Sequence, residues 1–344
     1  MAMRAGPTLA LATALILTAC TNEEGQPQSR PTAPGTSNGA ASAASTTASS
    51  QATEPRPTET PQSRPPSTNR HPPTDPIFFR QARAMKTVRH LAIDIGPRLA
   101  TSQAFEQAAS WVQRRFSRLG YDTTRQAIRV PAGSSWGVPV DAGTSANVIA
   151  TPPDFVPGEP WRLVGAHLDT VAVAPGAEDN GSGVAVMLEL MRLAAASDTA
   201  LPTVFVAYGA EEPVGQGEPL HHFGSRLHVD SLPPKQLESL RAMVSLDRVG
   251  VSDRGIVPLC TGGLSPPRLR DNLVAVAREL GIEASACSDN TSSDHWSYEQ
   301  RGVTAARVGS TPYAGYHSAS DVPGVVEAAQ LLRVGRIMWA WLHS

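Results

Sequence analysis

Short apolar runs of strand length alternate with amphipathic stretches over the second half of the chain. The apolar runs lie at residues 163–166, 201–209, 241–246 and 303–308, and their β-branched content favours buried strands. Because strands that alternate with helices form sheets covered on both sides, the pattern predicts an α/β fold. We expect one domain with a mixed, mostly parallel central sheet flanked by helices on both faces.

Helical spacing of apolar residues is found both before and between these runs. It predicts helices at residues 77–92, 102–119, 184–196, 266–281, 294–299 and 325–342. Asp75 followed by Pro76 is a typical helix start, Thr101 or Ser102 is placed to cap the second helix, and Gly120 to end it. Residues 121–130 and 146–150 are predicted to be neighbouring strands, joined by a loop or hairpin at 131–144.

The first 75 residues have a different character. An apolar run at residues 9–19, too short to cross a bilayer, leads into Leu17-Thr18-Ala19-Cys20, which resembles a bacterial lipobox. This predicts a signal peptide at residues 1–19, cleavage before Cys20 and a lipid on its thiol. An ordinary secretory signal is the alternative. Residues 20–75 are rich in Pro, Ser and Thr, and we expect a disordered tether before a folded domain at 76–344.

Net charge and cysteine content bear on the binding partners and on the cellular compartment of the protein. The 344 residues carry a net charge of −2, which gives no indication of nucleic-acid binding. We expect an exported monomer, anchored by lipid to the outer face of the cell membrane, or secreted if the signal is of the ordinary kind. In that oxidising compartment Cys260 and Cys287 could form a disulfide or remain two independent thiols.

The run at 163–166 leads directly into His167-Leu168-Asp169, and Asp179 lies just before the next predicted helix. Ligand sites in open α/β sheets gather at this edge. A neutral imidazole is a good zinc ligand, and Asp169, two positions along an extended chain, points the same way and could accept from its other ring nitrogen. Taken alone, these residues also fit an ordinary strand end and helix cap.

Further metal-binding residue types follow the later strands. Glu211 and Glu212 come after the run at 201–209, Asp247 comes after 241–246, and His317 lies in a turn-rich segment downstream. Together with His167 and Asp179, these residues can hold two zinc ions if one carboxylate bridges them, which leaves one glutamate as a base.

The chain from about residue 89 to its end resembles the zinc-dependent aminopeptidase family M28. The matching segments are GPRLATS, SANVIAT, GAHLDT, EDNGSGVAVMLEL, FVAYGAEE, SLDRVG, SDHWSYEQRGV and YHSASD. The resemblance implies the fold of zinc aminopeptidases and phosphorylase-like hydrolases, with two Zn²⁺ as cofactors.

The resemblance also implies a role for each site residue. The implied metal ligands are His167 and Asp247 on one zinc, Glu212 and His317 on the other, and Asp179 bridging both. The implied catalytic residues are Glu211 as general base, Asp169 orienting His167, and Tyr316 as a hydrogen-bond donor to the oxyanion. In this family the peptide after the bridging aspartate is often cis.

The expected activity is hydrolysis of N-terminal residues from peptides with a free N-terminus. An M28-like carboxypeptidase, a glutaminyl-cyclase-type enzyme and a non-catalytic binding lipoprotein remain open. A di-zinc peptidase of the M20 type is disfavoured, because those enzymes carry a lid domain before the last histidine. Here the stretch from Asp247 to His317 reads as continuous sheet-and-helix sequence.

One segment departs from the family pattern. The family usually continues from the glutamate pair almost directly to Gly-Ser, whereas here residues 213–220 intervene before Gly224-Ser225. We interpret this as an insertion that alters the pocket wall. His221 and His222 follow it and are expected to lie in a surface loop.

Overall fold

A computed structural model describes residues 78–264 and 266–344. Its strands are β1 Asp122–Val130, β2 Gly133–Ser135, β3 Val138–Val140, β4 Gly143–Thr151, β5 Trp161–His167, β6 Thr203–Tyr208, β7 Leu240–Leu246, β8 Val257–Cys260, β9 Ala284–Cys287 and β10 Ala305–Val308. Eight of these strands form one sheet in the order β1-β4-β6-β5-β7-β10-β8-β9, and β2 and β3 form a separate hairpin.

The centre of the sheet is parallel and its margins are mixed. Strands β6, β5, β7 and β10 run parallel to one another, whereas β4 is antiparallel to β6 and to β1. At the other margin β8 is antiparallel to β10 and parallel to β9. The predicted fold class is confirmed, and the carboxyl ends of the central strands share one edge.

Helices cover both faces of the sheet. They are α1 Gln81–Arg89, α2 Gln103–Arg118, α3 Gly183–Ala194, α4 Phe223–Ser231, α5 Pro234–Ser239, α6 Arg268–Glu279, α7 His295–Glu299 and α8 Ala328–His343. Alternate residues of β6 face opposite sides: Phe205 joins the core beneath α1, α2, α3, α6 and α8, while Val204 and Val206 pack with α4 and α7. This alternation is the period-two pattern of a strand buried on both sides.

Most predicted elements are present with shifted ends. Ser102 caps α2 by accepting a hydrogen bond from the Phe105 amide. Gly120 follows the helix with a φ of 86°, in the left-handed region that commonly ends helices. The first helix begins at Gln81 and continues into a wider π-helical turn, His90–Ile95. The short helices α4 and α5 and the short strands β8 and β9 were not predicted.

The predicted signal peptide, lipobox, tether and helix start at Asp75 lie outside the described residues. Among the residues that are described, none of the helices has the length and apolarity needed to cross a membrane. Cys260 and Cys287, on the adjacent strands β8 and β9, are joined by a disulfide.

Candidate metal centre

The carboxyl edge of the central strands gathers the predicted ligand residues. His167 ends β5, Glu212 follows β6, and Asp247 follows β7. Asp179 lies in the segment Ala177–Ser182 that leads into α3, and His317 lies in the loop between β10 and α8. The side chains of all five are at least nine-tenths buried.

The histidine nitrogens and carboxylate oxygens of these five side chains lie close to one another. His167 Nε2 lies 3.1 Å from Asp179 Oδ1 and 3.7 Å from Asp247 Oδ1. His317 Nε2 lies 3.1 Å from Asp179 Oδ2 and 3.4 Å from Glu212 Oε2. The two Asp179 oxygens thus face two different histidines, so the cluster divides into two groups of three that share Asp179.

The donor set fits zinc. Histidine nitrogens and carboxylate oxygens at about 2.0–2.2 Å from a tetrahedral zinc lie about 3.3 Å from each other, which matches the spacings in both groups. Glu212 Oε1 and Asp247 Oδ1 are buried, and neither accepts a hydrogen bond from any described residue. Buried carboxylate oxygens without a partner are costly, and a bound cation would remove that cost.

The close packing of buried carboxylates and histidines in the cluster shifts their pKa values. Burial raises the pKa of Glu212 to about 8, and the nearby Asp179 carboxylate adds to the effect. Burial also opposes ionisation of Asp179, but hydrogen bonds from His167 and His317 outweigh it and hold its pKa well below the usual range. The protein alone therefore keeps Asp179 charged and disfavours a second charge on Glu212.

Three further buried carboxylates hold the backbone of the site by accepting hydrogen bonds from pairs of adjacent amides. Asp169 accepts from Glu211 and Glu212, at 3.1 Å each. Asp321 accepts from the Glu178 amide at 2.8 Å and the Asp179 amide at 3.1 Å. Glu178 accepts from Gly250 and Val251, so the segment that carries Asp179 is attached to the loop that follows Asp247.

The acceptor closest to the second nitrogen of His167 is a backbone group. His167 Nδ1 lies 3.1 Å from the carbonyl oxygen of Asp169 and 3.9 Å from Oδ1 of its carboxylate. The Asp169 carboxylate, expected to accept from His167, is therefore farther from the ring than the Asp169 carbonyl, and its orienting role stays a prediction. On the other side of the cluster, Arg307 Nη2 lies 3.1 Å from Asp247 Oδ2, and both side chains are buried.

Glu211 is adjacent to the cluster but has different neighbours. One of its oxygens lies within 4.8 Å of ligand atoms of His167 and Glu212. Its Oε1 also lies 3.2 Å from His222 Nε2 and 3.6 Å from His221 Nε2. The expectation that these two histidines lie in a surface loop is wrong for His222, which is fully buried. The insertion has an exposed tip at Gln216, Gly217 and Pro219, and the chain after it returns to place His222 against Glu211.

Tyr316 is positioned at the mouth of the site. Its ring is 40% exposed and stacks on His317 with centroids 3.7 Å apart, and the Arg248 guanidinium lies 4.4 Å from the ring centroid. Trp136, in the turn between β2 and β3, contacts His317 edge-on at 4.3 Å and is 56% exposed. A hairpin was one of the two forms predicted for residues 131–144, but nothing in the sequence indicated that its tryptophan reaches the site.

The peptide bond between Asp179 and Asn180 is cis, as the family resemblance implied. Asn180 bridges neighbouring elements: its side-chain nitrogen donates to the Leu246 carbonyl and its oxygen accepts from the Gly183 amide. The Asp179 loop is thus attached both to the end of β7 and to the start of α3.

Comparison with known proteins finds similarity to bacterial aminopeptidases. The chain is 31% identical over 166 residues to aminopeptidase YwaD of Bacillus subtilis, and 29% identical over 199 residues to the probable lipoprotein aminopeptidase LpqL of Mycobacterium tuberculosis. The matches cover 47% and 55% of this chain, and 35% of each relative. The chain therefore spans about a third of the length of these two relatives.

A solved structure has the same fold. BSAP, a zinc aminopeptidase from Bacillus subtilis, superposes with a TM-score of 0.69 at 20% identity, covering 77% of this chain and 95% of that one. A sequence model of peptidase family M28 matches residues 147–342, more than half of the chain and including every candidate ligand. The chain belongs to peptidase family M28.

Proposed function

We propose that this protein is a di-zinc aminopeptidase that removes N-terminal residues from peptides. The observation that carries the proposal is the buried five-residue cluster, with unpaired oxygens on Glu212 and Asp247 and with a separate carboxylate, Glu211, beside it. Membership of a metallopeptidase family supports zinc as the metal.

The donor groups divide between two ions. His167 and Asp247 would hold one zinc, Glu212 and His317 the other, and Asp179 would contribute one oxygen to each. When bound, a zinc pair supplies a water molecule with a pKa near neutrality and polarises the carbonyl of the scissile bond. Arg307 keeps Asp247 ionised and oriented through their contact at 3.1 Å.

Glu211 is proposed to move the proton. Its carboxylate accepts a proton from the attacking water and later delivers that proton to the leaving amine. Asp169 fixes the backbone at both Glu211 and Glu212, so one residue can serve as base while its neighbour binds metal. Tyr316 is proposed to donate a hydrogen bond to the oxyanion that develops on the substrate carbonyl.

The substrate class is the less constrained part of the proposal. A solved glutaminyl cyclase from Fimbriiglobus ruber has a similar fold, with a TM-score of 0.62 at 22% identity, and a carboxypeptidase reaction also remains an alternative, so substrate tests must include both. We propose that the substrates are peptides with a free N-terminus and that the enzyme is a monomer.

We further propose that the enzyme is exported and anchored by a lipid on Cys20. The lipobox-like residues 17–20 support this, as does the similarity to a relative described as a probable lipoprotein. A Cys20→Ser protein should leave the membrane fraction of the producing cell. If it stays there, the anchor proposal is wrong.

A substrate panel with and without chelator tests the activity. We expect release of nitroaniline from aminoacyl-nitroanilides, no reaction with the same compounds blocked at the N-terminus, and loss of activity on chelation that added zinc restores. N-terminal glutaminyl peptides and peptides with free C-termini serve as controls. Reaction with N-blocked peptides alone, or cyclisation alone, would exclude the aminopeptidase proposal.

A further inference from the structure

Two adjacent histidines converge on the same carboxylate oxygen at the end of the inserted segment. The rings of His221 and His222 stack with centroids 3.7 Å apart and an interplanar angle of 17°. Their Nε2 atoms lie 3.6 Å and 3.2 Å from Glu211 Oε1. His222 is fully buried, yet neither of its ring nitrogens makes a hydrogen bond to any described residue.

The backbone holds this pair against the glutamates. The His222 amide donates to the Glu211 carbonyl at 3.0 Å, with His222 itself in the left-handed region at a φ of 55°. Within the insertion, the Val214 amide donates to the Leu220 carbonyl, which closes the loop. Glu218, from the same loop, places Oε1 3.7 Å from His222 Nδ1. This distance is longer than a hydrogen bond, but the carboxylate faces Nδ1, where the outer partner of a metal-binding histidine usually lies, and leaves Nε2 free to ligate.

The spacing in this group matches that of the metal cluster. Its two histidine-to-carboxylate distances, 3.2 Å and 3.6 Å, fall within the 3.1–3.7 Å found among the five ligands described above. All three ligand atoms lie within 4.8 Å of one another. Two imidazoles and one carboxylate form a common zinc donor set, and the partly exposed His221 opens the group to solvent.

We propose that Glu211, His221 and His222 form a third metal site, which binds Zn²⁺ or a similar borderline divalent cation. The site shares no ligand with the proposed zinc pair. Its two histidines directly follow residues 213–220, the segment in which this chain departs from the family pattern.

Occupation of this site should inhibit the enzyme. A carboxylate that ligates a metal cannot also accept a proton from water, so metal bound at Glu211 removes the base. This consequence rests on the proposed function, whereas the binding of the third ion does not. Free zinc would then act in two ways: it activates the enzyme at the high-affinity pair and inhibits it at the third site.

Equilibrium dialysis of the purified protein against buffered Zn²⁺ tests the site directly. We expect wild type to bind two ions tightly and a third more weakly. The His221→Gln/His222→Asn protein should bind two ions and lose the third. The single variant His221→Gln should bind the third ion with at least tenfold lower affinity than wild type. Asparagine is chosen at 222 because it tolerates the left-handed backbone. His343→Gln removes an exposed histidine elsewhere and should leave all three ions bound.

Two results would overturn the proposal: wild type that saturates at two ions, or a third ion that persists undiminished in the double variant. If His222→Asn disrupts folding, seen as loss of the first two ions, the His221→Gln titration decides. Activity measured in parallel separates the two claims. If the wild-type protein is inactive but binds a third ion that the variants lose, the third site is supported and the proposed peptidase activity is rejected. If the wild-type protein is active but binds only two ions, the peptidase activity is supported and the third site is rejected.

Discussion

Replacing Asp169 by Asn tests how this buried carboxylate acts on the site. In the structure it contacts the glutamate pair through two amide hydrogen bonds of 3.1 Å, whereas the nearest His167 nitrogen is 3.9 Å from its side chain. His167 is oriented more closely by the Asp169 carbonyl, which the substitution leaves unchanged. We therefore expect the effect to fall on Glu211 and Glu212 and not on His167.

The magnitude follows from those two bonds. An asparagine side chain offers one acceptor oxygen, and its NH₂ group would face the second amide. Losing one hydrogen bond to a charged group costs about 1.5–3 kcal/mol. The neutral amide recovers part of this, because burial disfavours the charged form of Asp169 and raises its pKa. We expect a net loss of about 2 kcal/mol in the free energy of unfolding, and a fall in kcat/KM of about ten- to a hundredfold from displacement of the base.

Urea denaturation, zinc analysis and steady-state kinetics on Asp169→Asn measure these effects. Asp253→Asn, at an exposed position, is the matched control and should resemble wild type. We expect the variant to keep its zinc. A variant that loses zinc while its unfolding free energy stays unchanged would refute this reasoning and favour a role for the carboxylate in orienting His167.

Three further predictions concern stability. Arg307→Met removes the closer of the two guanidinium groups at the buried Asp247 carboxylate, so the zinc-free protein should lose about 3 kcal/mol in urea denaturation and the zinc-loaded protein less. Removing the disulfide by Cys260→Ser with Cys287→Ser, at a sequence separation of 27, should lower the free energy of unfolding by about 3 kcal/mol under oxidising conditions. Burial lowers the pKa of His228 to about 4, below its unfolded value, so the unfolded state binds the extra proton. Stability should fall as the pH drops from about 6.5 towards 4, by up to about 1.4 kcal/mol per unit, and the dependence should flatten in His228→Gln.

The sequence indicated the sheet and the ligand residues for a simple physical reason. The central strands are mainly apolar runs, and ligand-type residues follow two of them directly, because His167 ends β5 and Asp247 comes immediately after β7. His167 and Asp247 could be placed in this way without the structure. The ends of the helices were less predictable: Phe79 lies in the apolar pattern of the first helix but is buried before the helix begins at Gln81.

The supporting residues could not be predicted because their partners are distant in sequence. Asp321 accepts a hydrogen bond from an amide 143 residues away, and no local pattern indicates such a pair. Arg307 left a weak signal, since a single arginine inside a buried strand requires a buried partner. His222 was misplaced because an insertion rich in glycine and proline resembles a surface loop, although its last residues fold back onto Glu211.

The separation of roles between Glu211 and Glu212 is the centre of this account. Zinc content and kcat measured on Glu211→Gln and Glu212→Gln test it most directly, because each change keeps side-chain size and removes the charge. Glu211→Gln should retain two zinc ions and lose about 10²–10⁴-fold in kcat, whereas Glu212→Gln should bind less zinc and also lose rate. If Glu211→Gln loses a zinc ion of the pair while Glu212→Gln retains both, the assignment is reversed, and if neither loses activity, the proposed mechanism is wrong.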